Sequence, residues 1–152
     1  MSGTRGAAHA CMHNSHPSER LVVRQLSDQL QSDIRRLTRA ESLGFDRRVR
    51  SQIEDAAAEV GRNIEQALAT DHSGECGRFL RLARSAVNSV KAGLQVARLK
   101  KYVAEQDVRP VEESLSRLYP TLSSLLATAS SQSGTPGPLP SYTRPSATSS
   151  RT

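Results

Sequence analysis

Apolar side chains recur along this chain at steps of three and four over four long stretches, and nowhere do they alternate at period two. The clearest stretch is Glu75–Val103. There Phe79, Leu82, Ala83, Ala86, Val87, Val90, Leu94 and Ala97 keep the helical step without a proline, which makes one apolar stripe on a 3.6-residue helix. Glu19–Ser42 repeats Val22, Leu26, Leu30, Ile34 and Leu37; Ser15 or Ser18 is placed to cap it, and Gly44 to end it. Asp46–Asp71 repeats Val49, Ile53, Ala56, Ala57, Val60, Ile64, Ala67 and Leu68. Its alanine-rich side lets a neighbouring helix come close. Asp71, His72, Ser73 and Gly74 read as a turn, with Ser73 as N-cap of the helix that follows. From about Val108 to Ala127, Val111, Leu115, Leu118, Leu122 and Leu125 repeat in a 4-3-4-3 pattern close to a coiled-coil seam. Asp107 is placed to cap this last helix, Pro110 to sit in its first turn, and Pro120 to kink it or end it early.

Four such helices joined by short turns predict an all-α chain, an antiparallel up-down four-helix bundle. The expected division is a disordered leader over 1–18, the bundle over 19–128, and a disordered tail rich in Ser, Thr and Pro over 129–152. Neither flank holds enough large apolar side chains to offset its ordering entropy.

Charge changes the picture at one helix. The chain carries 21 basic and 15 acidic residues, a net charge of +6. Within Glu75–Val103 stand Arg78, Arg81, Arg84, Lys91, Arg98, Lys100 and Lys101, with Glu75 as the sole acid. Arg81, Arg84, Lys91 and Arg98 share the side of this third helix that faces away from the apolar stripe. Such a helix suits an acidic protein, a phosphate chain or an anionic surface. Aromatics are 3% of the chain and tryptophan is absent, so the stacking platforms of RRM and OB folds lack their material. Cys11 and Cys76, the two cysteines, read as reduced thiols of a cytoplasmic protein. No run approaches a membrane span, and no apolar leader precedes the first helix.

The residues Ser51-Gln52-Ile53-Glu54-Asp55-Ala56-Ala57-Ala58-Glu59-Val60-Gly61-Arg62-Asn63-Ile64-Glu65-Gln66-Ala67 resemble a helix pattern found in a known family. So do Glu75-Cys76-Gly77-Arg78-Phe79-Leu80, and Leu94-Gln95-Val96-Ala97-Arg98-Leu99 with Tyr102-Val103. The family is that of the bacterial four-helix-bundle proteins encoded in intervening sequences of 23S rRNA genes. The accessory variability proteins of diversity-generating retroelements are similar to them. The likeness covers about residues 20–127, and it departs from the pattern at Gly61, at Glu65-Gln66-Ala67 and at Cys76. It implies a basic homo-oligomer, a pentamer by resemblance to the retroelement proteins. It further implies RNA or DNA, and a reverse transcriptase, as partners.

Two readings of the basic helix stay open. In one, Arg81, Arg84, Lys91, Arg98, Lys100 and Lys101 contact phosphates and position a nucleic acid without reading bases. In the other they form a face neutralised by acids such as Glu54, Asp55, Glu59, Glu112 and Glu113, and any docking is to an acidic protein surface. Asn63 is placed either to fix register or to face water, and Phe79 to fill the core while Arg78 reaches a carboxylate.

His9, Cys11, His13 and His16 are metal-competent but lack a hydrophobic frame, so the tract reads as leader and no metal or cofactor is expected. Met12 is an alternative start to Met1. Phosphate loops, nucleophile elbows and H-E-x-x-H are absent. The neighbours Glu54 and Asp55, like Glu112 and Glu113, point about 100° apart on a helix and cannot act as a carboxylate pair. A non-enzymatic protein is the expectation.

Overall fold

The computed structural model describes residues 17–132, and all regular structure among them is helical. The elements are α1 (Pro17–Leu37), α2 (Glu41–Gly44), α3 (Arg47–Ala69), α4 (Ser73–Leu99) and α5 (Glu105–Gln132). The leader, with its His/Cys tract, and the tail beyond 132 lie outside the described residues. No helix among those described is long and apolar enough to cross a membrane.

The predicted stripes are the buried faces, with some shifts. Val23, Leu30, Ile34 and Leu37 of α1 are buried, whereas Val22 is exposed. In α4 the buried row is Cys76, Leu80, Ala83, Ala86, Val87, Val90, Leu94 and Ala97. Leu82, expected in that row, stands at its edge and is exposed, while Phe79 packs half-buried against the core. Every member of the α5 seam is buried, and the row extends to Val108 and Ala129.

The long helices pack in a closed order: α3 against α4, α4 against α5, and α1 against both α3 and α5. Arg24 in the first half of α1 pairs with Glu65 in the last turns of α3 through two hydrogen bonds of 3.0 and 3.1 Å. Asp33 near the end of α1 meets Ser114 of α5, whose hydroxyl donates at 3.0 Å, and Gln29 donates to its other oxygen at 3.0 Å. A buried carboxylate needs such donors, because an unpaired one forfeits its hydration without return. Where α3 and α4 cross, Gly93 removes the side chain that would otherwise collide with Ile53.

The helix ends differ from the sequence-based expectation. α1 stops at Leu37, because the backbone turns extended at Ala40 before α2 makes a single helical turn. Asp46 caps α3, its Oδ1 accepting from the Val49 N–H at 3.2 Å. α4 starts at Ser73 after His72, which supplies no side-chain cap. α5 starts at Glu105, a turn earlier than expected, with Glu105 and Asp107 in its first turn. Both carboxylates favour the positive end of the helix dipole. The helix also runs through Pro120 to Gln132 without ending. Pro120 is exposed, so its ring is turned to solvent.

Cys76 is disulfide-bonded rather than a reduced thiol. Cys11, the other cysteine of the sequence, lies outside the described residues. The reduced reading rested on a tail cysteine and a helix-start cysteine making a poor structural pair, and the bonded state of Cys76 overturns it.

Candidate nucleic-acid interface

Burying the Leu80–Ala97 row of α4 against α3 and α5 fixes where its cations go. Arg81 is exposed, Arg84 is half-buried and Lys91 is exposed. Tyr119 of α5 lies beside two of them. The Arg84 guanidinium carbon is 5.9 Å from its ring centroid, and Lys91 Nζ is 4.8 Å away. A ring face attracts a cation at this range, so Tyr119 braces both along the seam between α4 and α5. None of Arg81, Arg84 and Lys91 has a carboxylate ion pair among the described residues. By helical rise, Arg81 and Lys91 stand about 15 Å apart along the axis.

The next cations on the helix are engaged within the chain. Arg98 Nη1 donates to Glu112 at 2.6 Å, and Nη2 to Glu105 at 2.6 Å and to Glu112 at 3.0 Å. Hydrogen bonds to Glu105 first, and then to Glu112, raise the guanidinium above its ordinary pKa. Lys100 Nζ sits 3.0 Å from Asp46 Oδ2, a contact that raises the ammonium pKa. Lys101 is exposed and takes a left-handed backbone, φ 57, in the turn that follows α4. The structure therefore assigns Arg98 and Lys100 to internal carboxylates and leaves Arg81, Arg84, Lys91 and Lys101 facing outward. A groove of about 600 Å³ opens beside Lys91, lined also by Gln95, Ser116, the Arg98–Glu112 ion pair and the buried Leu94 and Leu115.

The Asp46 contact has a measurable consequence. Lys100 first, then the Val49 N–H, lower the Asp46 carboxyl below its usual 3.8. A carboxylate held low in the folded state adds stability above its unfolded pKa and loses it as pH falls through the folded value. Asp46→Asn keeps a capping side chain without the charge. We expect it to melt below the wild type at neutral pH, with the gap closing under acid conditions below pH 3.8. Melting curves by circular dichroism across that range check this; a gap that does not vary with pH would refute it.

Other residues singled out in the sequence turn out local. The Asn63 amide donates to the Glu59 carbonyl of its own helix at 2.9 Å. Arg78 is exposed. Glu105 and Glu112 converge, but on the Arg98 guanidinium, which makes a clamp between α4 and α5. No three His, Cys, Asp or Glu side chains among the described residues gather as a metal site would require. Sequence reasoning missed Tyr119 as the brace, since a tyrosine beside a seam leucine shows nothing of its neighbours across the interface.

A family model described as 23S rRNA-intervening sequence protein matches residues 19–124. The chain belongs to this family. The match takes in α1 through α4 and most of α5, so membership extends over nearly all the described structure. No curated protein matches the chain. The family's description names no reaction.

Proposed function

We propose that this intervening-sequence family member is a non-enzymatic nucleic-acid-binding protein that uses the outward cations of α4. The observation that carries the reading is the row Arg81, Arg84 and Lys91, free of carboxylate ion pairs and braced in part by Tyr119. Lys101 extends the row; Arg98 and Lys100 hold the frame by binding Glu105, Glu112 and Asp46. The scaffold is an antiparallel up-down four-helix bundle over 19–128, a reading supported by the closed packing order and by the Arg24–Glu65 pairing of opposite helix ends.

By family likeness the chain acts as a homo-oligomer, a pentamer if the retroelement relatives are the guide, with a reverse transcriptase as a further partner. The cytoplasm is the proposed compartment on the family's link to rRNA genes. The bonded state of Cys76 withdraws the support first drawn from cysteine usage. In a second reading the same outward cations dock an acidic protein, since guanidinium and ammonium groups without an internal carboxylate suit a partner's carboxylates as well as phosphates.

The test is binding of RNA and DNA across a salt series. Each phosphate contact lowers the slope of log K against log salt by about 0.7 for a single strand and about 0.9 for a duplex. Three or four outward cations predict a slope of roughly −2 to −4. No retention of either nucleic acid at low salt would remove this reading and leave the acidic-protein one.

A further inference from the structure

The end of the molecule where α2 meets α3 exposes an aromatic ring that nothing above uses. Phe45 is 88% exposed, although a phenylalanine ordinarily gains more from burial than most side chains. Leu99, at the end of α4, is 76% exposed. The two segments are tied together. The Ser42 hydroxyl donates to the Tyr102 carbonyl at 2.6 Å, the Tyr102 hydroxyl donates to Asp46 at 3.1 Å, and Lys100 pairs with Asp46 at 3.0 Å. This lacing fixes residues 42–46 against residues 100–102, so Phe45 projects from a braced connection.

The two laced segments carry or adjoin cations. Arg47, Arg48 and Lys101 are all exposed, and Arg48 is close enough for its charge to oppose the proton on Lys100. Asp46 is engaged three times, by Lys100, Tyr102 and the Val49 N–H. Glu41 at the start of α2 is the connection's other acid.

An exposed apolar side chain alone means little. An exposed ring followed in the chain by Asp46, a carboxylate already engaged, and then by two exposed arginines is a different feature. It is the pairing used to hold single-stranded nucleic acid, with a base stacked on the ring and neighbouring phosphates on the cations. A second copy of the chain suits the surface less well. A stable contact buries roughly 800 Å² on each partner around an apolar centre. Here two apolar side chains stand among lysines and arginines that would face their like in a two-fold contact.

We propose that Phe45 is a stacking platform for an unpaired base of RNA, with Arg47, Arg48 and Lys101 on the adjoining phosphates. The inference shares with the reading above the nucleic-acid ligand and Lys101, and it is independent of Arg81, Arg84 and Lys91. It adds a preference for unpaired strands that the α4 row does not supply.

The test compares the full chain with Phe45→Ala and Phe45→Trp, using a labelled oligouridylate and an RNA duplex of the same length. Phe45→Ala should weaken oligouridylate binding by roughly five- to a hundredfold, leave duplex binding and the salt slope unchanged, and be rescued by Phe45→Trp. Photocrosslinking with 5-iodouridine in the oligonucleotide should attach the strand at Phe45. If Phe45→Ala binds oligouridylate like the wild type, or weakens single strand and duplex alike, the stacking site is refuted. A change in sedimentation without a change in RNA binding would make this end a subunit contact and refute it too. Loss of single-strand binding on Phe45→Ala, with no effect from charge changes on α4, would uphold the stacking site and overturn the α4 reading. Wild-type protein that binds neither probe overturns both.

Discussion

Reversing Arg81, Arg84 and Lys91 to glutamate is expected to weaken nucleic-acid binding by on the order of a hundredfold or more, and to flatten its salt dependence by about one unit of slope per cation. The three share the outward stripe of α4 and lack internal carboxylate partners, so changing their sign removes attraction and adds repulsion toward phosphate. The fold should persist, because the helix buries other residues, and circular dichroism and sedimentation should match the wild type. Arg98 is deliberately outside the set, although it lies on the same stripe. A glutamate there would face Glu105 and Glu112, which now sit 2.6 Å from its guanidinium nitrogens. Any loss of binding would then be confounded by loosening of the α4–α5 seam. Gel-shift titration at several salt concentrations decides the matter. Unchanged affinity in the triple variant would mean that the row is a solvated face. Loss of assembly with binding intact would favour the acidic-protein reading.

Replacing Gly93 with valine is expected to cost about 3 kcal/mol or more of stability. A Cβ at this position would lie 2.7 Å from Ile53 Cγ1 and 3.8 Å from the Ile53 Cα. The obstruction is thus the stem of a branched side chain fully buried on α3, with backbone just behind it, and it cannot swing aside. Alanine at the same site gains about 1 kcal/mol in helix propensity but meets the same stem, so it too should destabilise. Gly61 offers a control within the same fold. Its added Cβ would strike the Gln31 side-chain amide, the far end of a flexible chain that can rotate away, so Gly61→Ala should stay within about 1 kcal/mol of the wild type. Urea unfolding of the variants measures each. A double-mutant cycle should show Ile53→Ala relieving part of the Gly93→Ala penalty, since the two side chains compete for one space. Independent effects would mean that α3 and α4 do not approach as closely as described.

Helix identity was legible because it depends on periodicity. Leu115, Leu118, Leu122 and Leu125 repeat along one face whatever they pack against, and all are buried. Helix ends were less legible. α5 begins at Glu105, where a carboxylate serves both the helix dipole and Arg98, and the second benefit depends on a residue in another helix. Pro120 remains within α5 because its ring faces solvent and the seam on the opposite side continues to Ala129. A rule about proline in helices does not weigh those contacts. Leu82 and Val22 fit the periodic step yet lie at the margins of their buried faces, since stripe width is set by how neighbouring helices cross.

The basic helix shows the same division. Its excess of cations follows from composition, and their common side follows from helical geometry. Which of them remain available to a ligand depends on carboxylates brought from elsewhere. Glu105 and Glu112 reach Arg98 across the α4–α5 seam, and Asp46 reaches Lys100 from the start of α3. The exposure of Phe45 is likewise invisible in a chain poor in aromatics, where an isolated phenylalanine reads as core. By itself the sequence determined that the chain is helical, which faces are apolar, where positive charge concentrates and which family pattern it carries, because each of these depends on local spacing. Tertiary structure alone decided which charges are neutralised, where a glycine is indispensable and which ring is left in solvent, because these depend on atoms distant in sequence meeting within a few ångströms.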